Sequence, residues 1–341
     1  MAWAAIAGLW VVLALRLPEL RQLRSDRTTA VTAAEQPARD GPPPKPPYPG
    51  PPFAQQWSPG AVEGFLQALA GSTDRATVFL VGASQEGQPL YAVSTGAGTA
   101  GARSQESGAR RTTTETANGK DGKKDAGPWR VAIVAGQHGN EPGAVVGVLQ
   151  FLWDLCREDQ QARSWMQDNL ALLVFPLANP DGRARRTRET ANHGDMNRDW
   201  EKRQLPETAA IGRAIDAFRP DLVIDCHQLI PGDRYQDPLI EVACTDQTEL
   251  TRMGQHAVSL REHLERRLQA EGLKPRVFFR WTQPGTCLHA YYGVNHTTPA
   301  ILVESAPNPP GWQVSLHPKV LWIILGYLRR EPGERTVNRG P

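Results

Sequence analysis

Short apolar segments alternate along this chain with longer segments whose apolar residues recur at helical spacing. Apolar runs typical of strands buried on both faces lie at 131–135, 171–176, 221–226, 239–244, 277–281 and 299–305. Helical spacing is found at about 142–156, 206–218, 250–272 and 315–330. This alternation predicts an α/β fold in a single domain, with a mixed, mostly parallel central sheet covered by helices on both faces.

Two further elements precede this alternation. The segment that starts at Ser58 reads as a helix with a Ser cap and with Pro59 in its first turn. Two apolar runs around the Gly-containing turn at 84–88 then predict a hairpin. The folded domain is therefore expected to begin near residue 57.

Composition shifts predict the remaining boundaries. Residues 1–27 resemble a signal or anchor segment, residues 28–56 are a Pro-rich linker, and the folded domain spans 57–331. A low-complexity insertion is expected at 96–127 and a flexible tail at 332–341. The basic stretch inside the insertion, 103–124, reads as a solvated loop rather than a binding patch.

The N-terminal apolar run, Ala2 to Leu15, is long enough for the core of a signal peptide and short for a membrane span. The arginines that follow it would stay on the cytoplasmic side of a membrane. These arginines count against export, whereas the apolar run itself favours a signal or anchor segment. On the strength of that run we expect export to the periplasm or an N-terminal membrane association, and a cytoplasmic protein with an amphipathic extension is the alternative.

Overall composition narrows the partners. The chain has 341 residues, 40% of them hydrophobic, and a net charge of +2. It can bury a large core, and its charge favours neither nucleic acid nor an acidic substrate. The four cysteines lack the paired spacing of a cysteine zinc site, and their number permits disulfides without assigning any pairing. Cys226 lies in a predicted strand, where it is expected to act as a small apolar residue.

Polar residues that can bind a metal follow two of the predicted strands. His138 and Glu141 lie on the turn after the run at 131–135, although one such His-x-x-acid pair is expected by chance and Glu141 could be a plain helix-terminal acid. His227 follows the run at 221–226. Two imidazoles and one carboxylate would leave a zinc position open for water, which is the arrangement of a catalytic rather than a structural site.

Two other strand ends add groups for catalysis. The loop 183–198 collects five arginines and Asn197, either as a solvated basic loop or as a site that holds a substrate carboxylate and polarises a carbonyl. Glu304 lies in an otherwise apolar strand, where a carboxylate is unfavourable unless it is paired or functional. Near a metal site it could act as a general base and then as an acid.

The order of these motifs resembles the zinc carboxypeptidase superfamily, whose fold is that of carboxypeptidase A. The matching motifs are His138-x-x-Glu141, Asn-Pro-Asp-Gly at 179–182, RETANHGDMNR at 188–198, Asp225-x-His227 and the late strand residue Glu304. The compact spacing from Arg188 to Arg198 is similar to that of bacterial members, which include murein-peptide amidases.

The resemblance implies a role for each matching residue. One zinc ion per chain would be bound by His138, Glu141 and His227. Glu304 would activate the water and Arg188 would stabilise the oxyanion, with Arg185 as the competitor for that role. Asn197 and Arg198 would grip the terminal carboxylate of the substrate, and Asp195 would orient the imidazole of His138. The family's mobile tyrosine has no motif-defined counterpart, although Tyr291 and Tyr292 lie in the corresponding region.

The resulting functional prediction is a monomeric zinc hydrolase that cleaves an amide bond next to a free carboxylate, as a metallocarboxypeptidase or a peptide amidase. Its substrate would be a small peptide or an acyl amino acid. One alternative is an N-acyl amino acid deacylase of the aspartoacylase or succinylglutamate desuccinylase type, which shares the zinc set. The other is a non-catalytic module that binds carboxylate-terminated ligands.

Overall fold

Eight strands form one mixed sheet in the described part of this computed structural model. That part comprises residues 57–96, 127–156, 160–233, 237–245, 251–273, 275–279, 285–306 and 312–329. The strands are β1 (Ala76–Ala83), β2 (Pro89–Gly96), β3 (Trp129–Ala135), β4 (Leu170–Phe175), β5 (Leu222–Gln228), β6 (Leu239–Ala243), β7 (Arg276–Phe279) and β8 (Ala300–Ser305). They pair in the order β1-β2-β4-β3-β5-β8-β6-β7.

The centre of the sheet is parallel. Strands β4, β3, β5 and β8 are parallel neighbours, and β6 also pairs with β7 in parallel. Antiparallel pairings join β1 to β2, β2 to β4 and β6 to β8. The carboxyl ends of the four central strands therefore meet at one edge of the sheet, where sites in open α/β sheets collect.

The helices lie between and after the strands. They are α1 (Pro59–Ser72), α2 (Pro142–Leu155), α3 (Gln160–Asn169), α4 (Pro180–Arg185), α5 (Pro206–Phe218), α6 (Ala257–Ala270), α7 (Leu288–Ala290) and α8 (Trp312–Arg329). One short 3-10 turn covers Met196–Arg198, and a π-helical turn, Tyr291–Asn295, continues α7.

Two apolar layers cover the sheet. One face packs against α1, α2, α6 and α8, and its core includes Ile133, Leu172 and Ile224. The opposite face packs against α5 and the segment 288–292, around Val134 and Trp200. A sheet covered on both sides explains why the central strands are apolar at nearly every position. The predicted fold class is confirmed.

Most predicted elements are confirmed, with three differences. The helix predicted over 250–272 begins only at Ala257, after a 3-10 turn at Gly254–His256. Helix α3 was not predicted, because its sequence is mostly polar. The Asn-Pro-Asp-Gly motif, predicted as a turn, begins the short helix α4 with Asn179 as its cap.

Several predictions fall outside the described residues. These are the signal-like segment 1–27, the linker 28–56, nearly all of the insertion 96–127, and the tail 332–341. Within the described ranges, no helix has both the length and the apolar character required to cross a bilayer. All four cysteines lie in described ranges, and Cys156, Cys226 and Cys287 are free thiols. Cys226 is buried in β5, as expected of an apolar filler.

Candidate metal centre

The turn after β3 and the end of β5 bring His138, Glu141 and His227 together. Nδ1 of His138 lies 2.6 Å from Oε1 of Glu141, and Nδ1 of His227 lies 2.8 Å from Oε2 of the same carboxylate. One ligand atom from each residue can be chosen so that all three lie within 4.8 Å of one another. Because β3 and β5 are parallel neighbours, their carboxyl ends place these side chains at the same point.

Both imidazoles are oriented by a carboxylate on their far side. Nε2 of His138 lies 3.1 Å from Oδ1 of Asp195, and Nε2 of His227 lies 2.9 Å from Oδ1 of Asp225. A carboxylate at Nε2 fixes the tautomer that leaves Nδ1 free to bind a metal. Two Nδ1 atoms and one carboxylate form the three-ligand set of catalytic zinc sites, so the residues present fit a zinc ion.

The charge of this cluster also favours a cation. Burial lowers the pKa of His227, but Asp225 and Glu141 on either side raise it well above its usual value. Burial raises the pKa of Glu141, yet His227 and His138 hold it below its usual range. Three carboxylates face two imidazoles here, and the surplus negative charge suits a divalent ion that displaces protons from the histidines.

Glu141 is the residue before α2, yet its side chain does not cap that helix. Its Oε2 instead accepts a hydrogen bond of 3.1 Å from the backbone N–H of Gln228. The side chain of Gln228 in turn accepts from the backbone N–H of Gly143 at 2.5 Å. The carboxylate is therefore held towards β5 and not towards its own helix, which disfavours the interpretation as a plain helix-terminal acid.

The Asn-Pro-Asp-Gly motif forms the scaffold beside this turn. Asn179 Oδ1 accepts from the N–H of Gly182 at 2.8 Å, and its Nδ2 donates to the carbonyl of Gln137 at 3.0 Å. A Cβ on Gly139 would lie 1.9 Å from the carbonyl carbon of Gly182, so the two backbones approach too closely for any side chain. Asp181 accepts from Ser84 Oγ at 2.8 Å and fastens the β1–β2 turn to the same scaffold.

The loop after α4 lies partly at the cluster. Arg188 Nε donates to Asp195 Oδ2 at 3.1 Å, and its Nη1 lies 3.7 Å from Oε1 of Glu141. Asn197 Nδ2 lies 3.1 Å from His227 Nε2. The exposed Arg198 donates to the carbonyl of Asn197. Arg185 pairs instead with Glu86 on the β1–β2 turn.

Glu304 lies next to His227 in the sheet. The two residues are register partners in the parallel pair β5–β8, close to the carboxyl ends of both strands. Loss of hydration raises the pKa of Glu304 to about 8; His227 opposes this shift, and Glu141 adds to it. A carboxyl group with a raised pKa beside a candidate metal site has the properties of a general acid or base.

Several neighbours of the cluster were not predicted. Gln137 donates from Nε2 to Asp225 Oδ1 at 2.6 Å, and its Oε1 accepts from the indole of Trp200 at 2.7 Å. His289 Nδ1 lies 3.3 Å from Asp225 Oδ2. Gln137 and Gln228 each adjoin a proposed ligand in sequence, which is a weak signal, whereas nothing in the sequence around His289 indicates its position.

Comparison with known proteins finds similarity to zinc carboxypeptidases in part of the sequence and in the fold. Residues 62–223 match the family model described as zinc carboxypeptidase. A stretch of 103 residues is 33% identical to Carboxypeptidase 2 of Trichophyton tonsurans, covering 30% of this chain and 19% of that protein. The chain thus matches about a fifth of the length of that curated relative.

Solved structures share the fold. A metallo-carboxypeptidase from Burkholderia cenocepacia superposes with a TM-score of 0.60 at 17% identity, over 81% of this chain and 70% of that one. Carboxypeptidase A from Helicoverpa armigera gives a TM-score of 0.57 at 15% identity, over 92% and 80% of the two chains. The resemblance that the sequence motifs indicated is confirmed.

Proposed function

We propose, from the match of residues 62–223 to the zinc carboxypeptidase family model, that the protein is a zinc-dependent hydrolase of amide bonds next to a free carboxylate. The observation that supports this most directly is the cluster of His138, Glu141 and His227 with Glu304 as the register partner of His227. A non-catalytic binding module would require neither the three candidate ligands nor a carboxyl group beside them.

Zinc, when bound by His138, Glu141 and His227, would polarise the scissile carbonyl and acidify a water molecule. The chain's own residues would then move the proton. Glu304 would lose its proton more readily beside a bound cation, and would accept a proton from the attacking water. It would afterwards deliver this proton to the leaving amine, because the same carboxyl group faces both positions in turn.

Two arginines and one amide would orient the substrate. Arg188, which reaches both Asp195 and Glu141, can donate to the oxygen on which negative charge develops. The exposed guanidinium of Arg198, beside Asn197, would bind the terminal carboxylate, for which a planar guanidinium is well suited. Arg185, paired with Glu86, is less well placed for either role.

The finer assignment to a small peptide substrate, with a metallocarboxypeptidase or peptide amidase activity, rests on this carboxylate-binding pair. A carboxylate-binding pair at one side of the metal and a general base at the other would select the amide bond nearest the substrate's end. N-acyl amino acids also have an amide bond next to a free carboxylate. A deacylase would therefore use the same catalytic groups as a carboxypeptidase and would differ only in the acyl group that it accepts.

The test compares Glu304→Gln with His138→Ala in the purified protein. Glu304→Gln is expected to retain about one zinc per chain and to lose at least about 10²-fold in kcat, because the general base is gone while the ligands remain. His138→Ala is expected to lose both zinc and turnover. The metal content would be measured together with the hydrolysis of two substrate classes, peptides with a free C-terminal carboxylate and N-acyl amino acids.

Each half of the proposal can fail separately. Undiminished zinc content in His138→Ala would refute the metal site, and wild-type turnover by Glu304→Gln would refute the general base. Arg185→Ala is the matched control, because its guanidinium pairs with the β1–β2 turn, and it is expected to leave kcat near the wild-type value.

A further inference from the structure

Asp225 is a buried carboxylate placed between two imidazoles, only one of which the proposed function uses. It is 0% exposed, and His289, on its far side, is 5% exposed. Burying a carboxylate is unfavourable unless each oxygen has a donor. The way in which Asp225 meets this requirement assigns a role to His289.

The two oxygens of Asp225 have different partners. Oδ1 accepts from Gln137 Nε2 at 2.6 Å and lies 2.9 Å from His227 Nε2. Oδ2 lies 3.3 Å from His289 Nδ1. Rotation of the carboxylate about its Cβ–Cγ bond would break the contact with His289 and would also remove Oδ1 from His227. The donor on Oδ2 therefore opposes rotation of the whole group.

His289 is itself held in place. It lies on α7, and the residue before it, Leu288, donates its backbone N–H to Asn197 Oδ1 at 2.9 Å. Its Nε2 lies 3.8 Å from Glu241 Oε2 on β6 and 3.8 Å from Cys287 Sγ. A ring that is buried and bounded on both nitrogens has little freedom to turn away from Asp225.

The charge of His289 supports this arrangement. Burial lowers its pKa, but the hydrogen bond with Asp225 and the neighbouring Cys287 raise it to about 10. Nδ1 is the ring nitrogen that faces the Asp225 carboxylate, which can only accept, so Nδ1–H is the donor in this contact. A charge-assisted hydrogen bond of this kind is stronger than one between neutral groups.

We propose that His289 is a positioning residue for the zinc site, acting through Asp225 on His227. Its Nδ1–H holds the Asp225 carboxylate so that Oδ1 faces Nε2 of His227, and this keeps Nδ1 of His227 directed at Glu141 and the metal position. The inference rests on the proposed function, because it requires that His227 be a zinc ligand. His289 contacts neither the metal position nor the substrate in this role.

Two near-isosteric substitutions separate the two nitrogens of the ring. In His289→Asn the side-chain amide lies near the position of Nδ1 and can still donate to Asp225, whereas in His289→Gln it lies near Nε2 and cannot. Partners outside the ligand shell typically contribute about 10–100-fold to metal affinity. We expect about tenfold weaker zinc binding in His289→Gln and an affinity within about threefold of wild type in His289→Asn.

The zinc dissociation constant would be measured by competition with a chromogenic chelator on the full chain. The visible spectrum of the Co²⁺-substituted protein would report the ligand geometry, since it depends on coordination. The spectrum is expected to change in His289→Gln and not in His289→Asn. Thermal unfolding of the metal-free variants checks that both are folded to the same extent. Glu241→Gln is the matched control, because it alters the group facing Nε2 and leaves the Nδ1 donor in place.

The outcomes are distinguishable. Equal zinc affinity in wild type and His289→Gln would overturn the positioning role while leaving the proposed function intact. Equal weakening in His289→Asn and His289→Gln would show that His289 acts only through packing, and would overturn it as well. A wild-type protein without zinc would refute the proposed function itself, which His138→Ala tests independently.

Discussion

Glu207 is a buried carboxyl group at the start of α5, and it has no proposed role in the metal centre. Its Oε1 accepts from the backbone N–H of Gln85 at 2.9 Å, and its Oε2 has no hydrogen-bond partner among the described residues. Burial raises its pKa, and the nearby carboxylates Asp181 and Asp199 add to the shift. The group therefore keeps its proton to a higher pH in the folded state than in the unfolded state.

We expect Glu207→Gln to stabilise the protein increasingly as pH rises above about 4.5. Above that pH the unfolded chain releases the Glu207 proton while the folded protein retains it, so wild-type stability falls as pH rises through the folded pKa. Glutamine keeps an acceptor for Gln85 and does not titrate. The gain is expected to be largest at pH 7.5, because glutamine carries no charge that the buried position would have to accommodate.

Urea unfolding of wild type and Glu207→Gln at pH 4, 6 and 7.5 checks this prediction. The difference in the free energy of unfolding should be small at pH 4 and largest at pH 7.5. A difference that is independent of pH would show that the pKa of the carboxyl group is the same in the folded and unfolded states. Glu86→Gln is a suitable control, because that residue is exposed.

At the scale of single residues, the proposed ligands could be predicted and their supporting contacts could not. His138, Glu141, His227 and Glu304 stand out because each lies within an apolar strand, at its end, or on the turn that follows it. The contact between Asp225 and His289 depends on the path of 285–295, a segment without a periodic apolar pattern. Side-chain rotamers in such a segment are fixed by tertiary contacts, which one sequence does not specify.

At the scale of elements, α2 connects the metal centre to the hydrophobic core. The helix begins directly after Glu141, and it is apolar at most positions, which allows it to be buried between the sheet and α8. Gly147 lies where α2 meets α8: a Cβ there would be 2.8 Å from both the Cβ of His317 and the carbonyl oxygen of Val314. The glycine therefore sets the distance between the two helices.

We expect Gly147→Ala to destabilise the protein by about 1–3 kcal/mol, the usual cost of overpacking a core. Gly64→Ala is the matched control, since Gly64 is also inside a helix, is exposed, and would find no atom within 4 Å of its Cβ. This control is expected to gain about 0.5–1 kcal/mol from helix propensity. Denaturant unfolding of both variants gives the comparison.

Gly147→Ala should also weaken zinc binding, because a displaced α2 moves Glu141 at its start. The chelator competition used for His289 measures this effect. Unchanged stability in Gly147→Ala would mean that α8 moves away at little cost, and the close packing of the two helices would then carry no functional constraint.

Prediction at the element scale succeeded where the apolar pattern was strong and failed where it was weak. The long apolar run of α2 could be assigned by its length, because strands are rarely that long. Helix α3 was missed because its residues are mostly polar, and its position is set by packing against β2 and β4. The start of α6 was placed too early because turn residues before Ala257 continue the apolar spacing.

At the scale of the whole molecule, the alternation of elements predicted the class of sheet and not its edges. The parallel direction of the central strands β4, β3, β5 and β8 is what apolar strands separated by helices predict, whereas their order was not predicted. Strand β6 lies between β8 and β7 and is antiparallel to β8. This direction could not be predicted, because the sequence of β6 is as apolar as that of a parallel strand. Strand direction at a sheet edge depends on connections that the local pattern does not describe.

The metal centre joins parts of the chain that are far apart in sequence, and this leads to a prediction about global stability. Glu141 and His227 are 86 residues apart and meet only in the folded sheet. A ligand that binds the folded state alone raises the free energy of unfolding by about 2.7 kcal/mol at a concentration of 100 times its dissociation constant. We therefore expect the Tm of the wild-type protein to rise with zinc concentration and to fall when a chelator removes the metal.

His138→Ala should show neither response, because it lacks one of the three ligands, and its Tm should resemble that of the chelated wild type. Arg185→Ala, which keeps the complete ligand set, should respond to zinc as the wild type does. Calorimetric scans at fixed protein concentration and increasing zinc would measure both. A wild-type Tm that is indifferent to zinc and chelator would mean that the three side chains do not bind the ion in the folded protein, whatever their proximity. A zinc response retained in His138→Ala would instead locate the stabilising ion elsewhere in the chain.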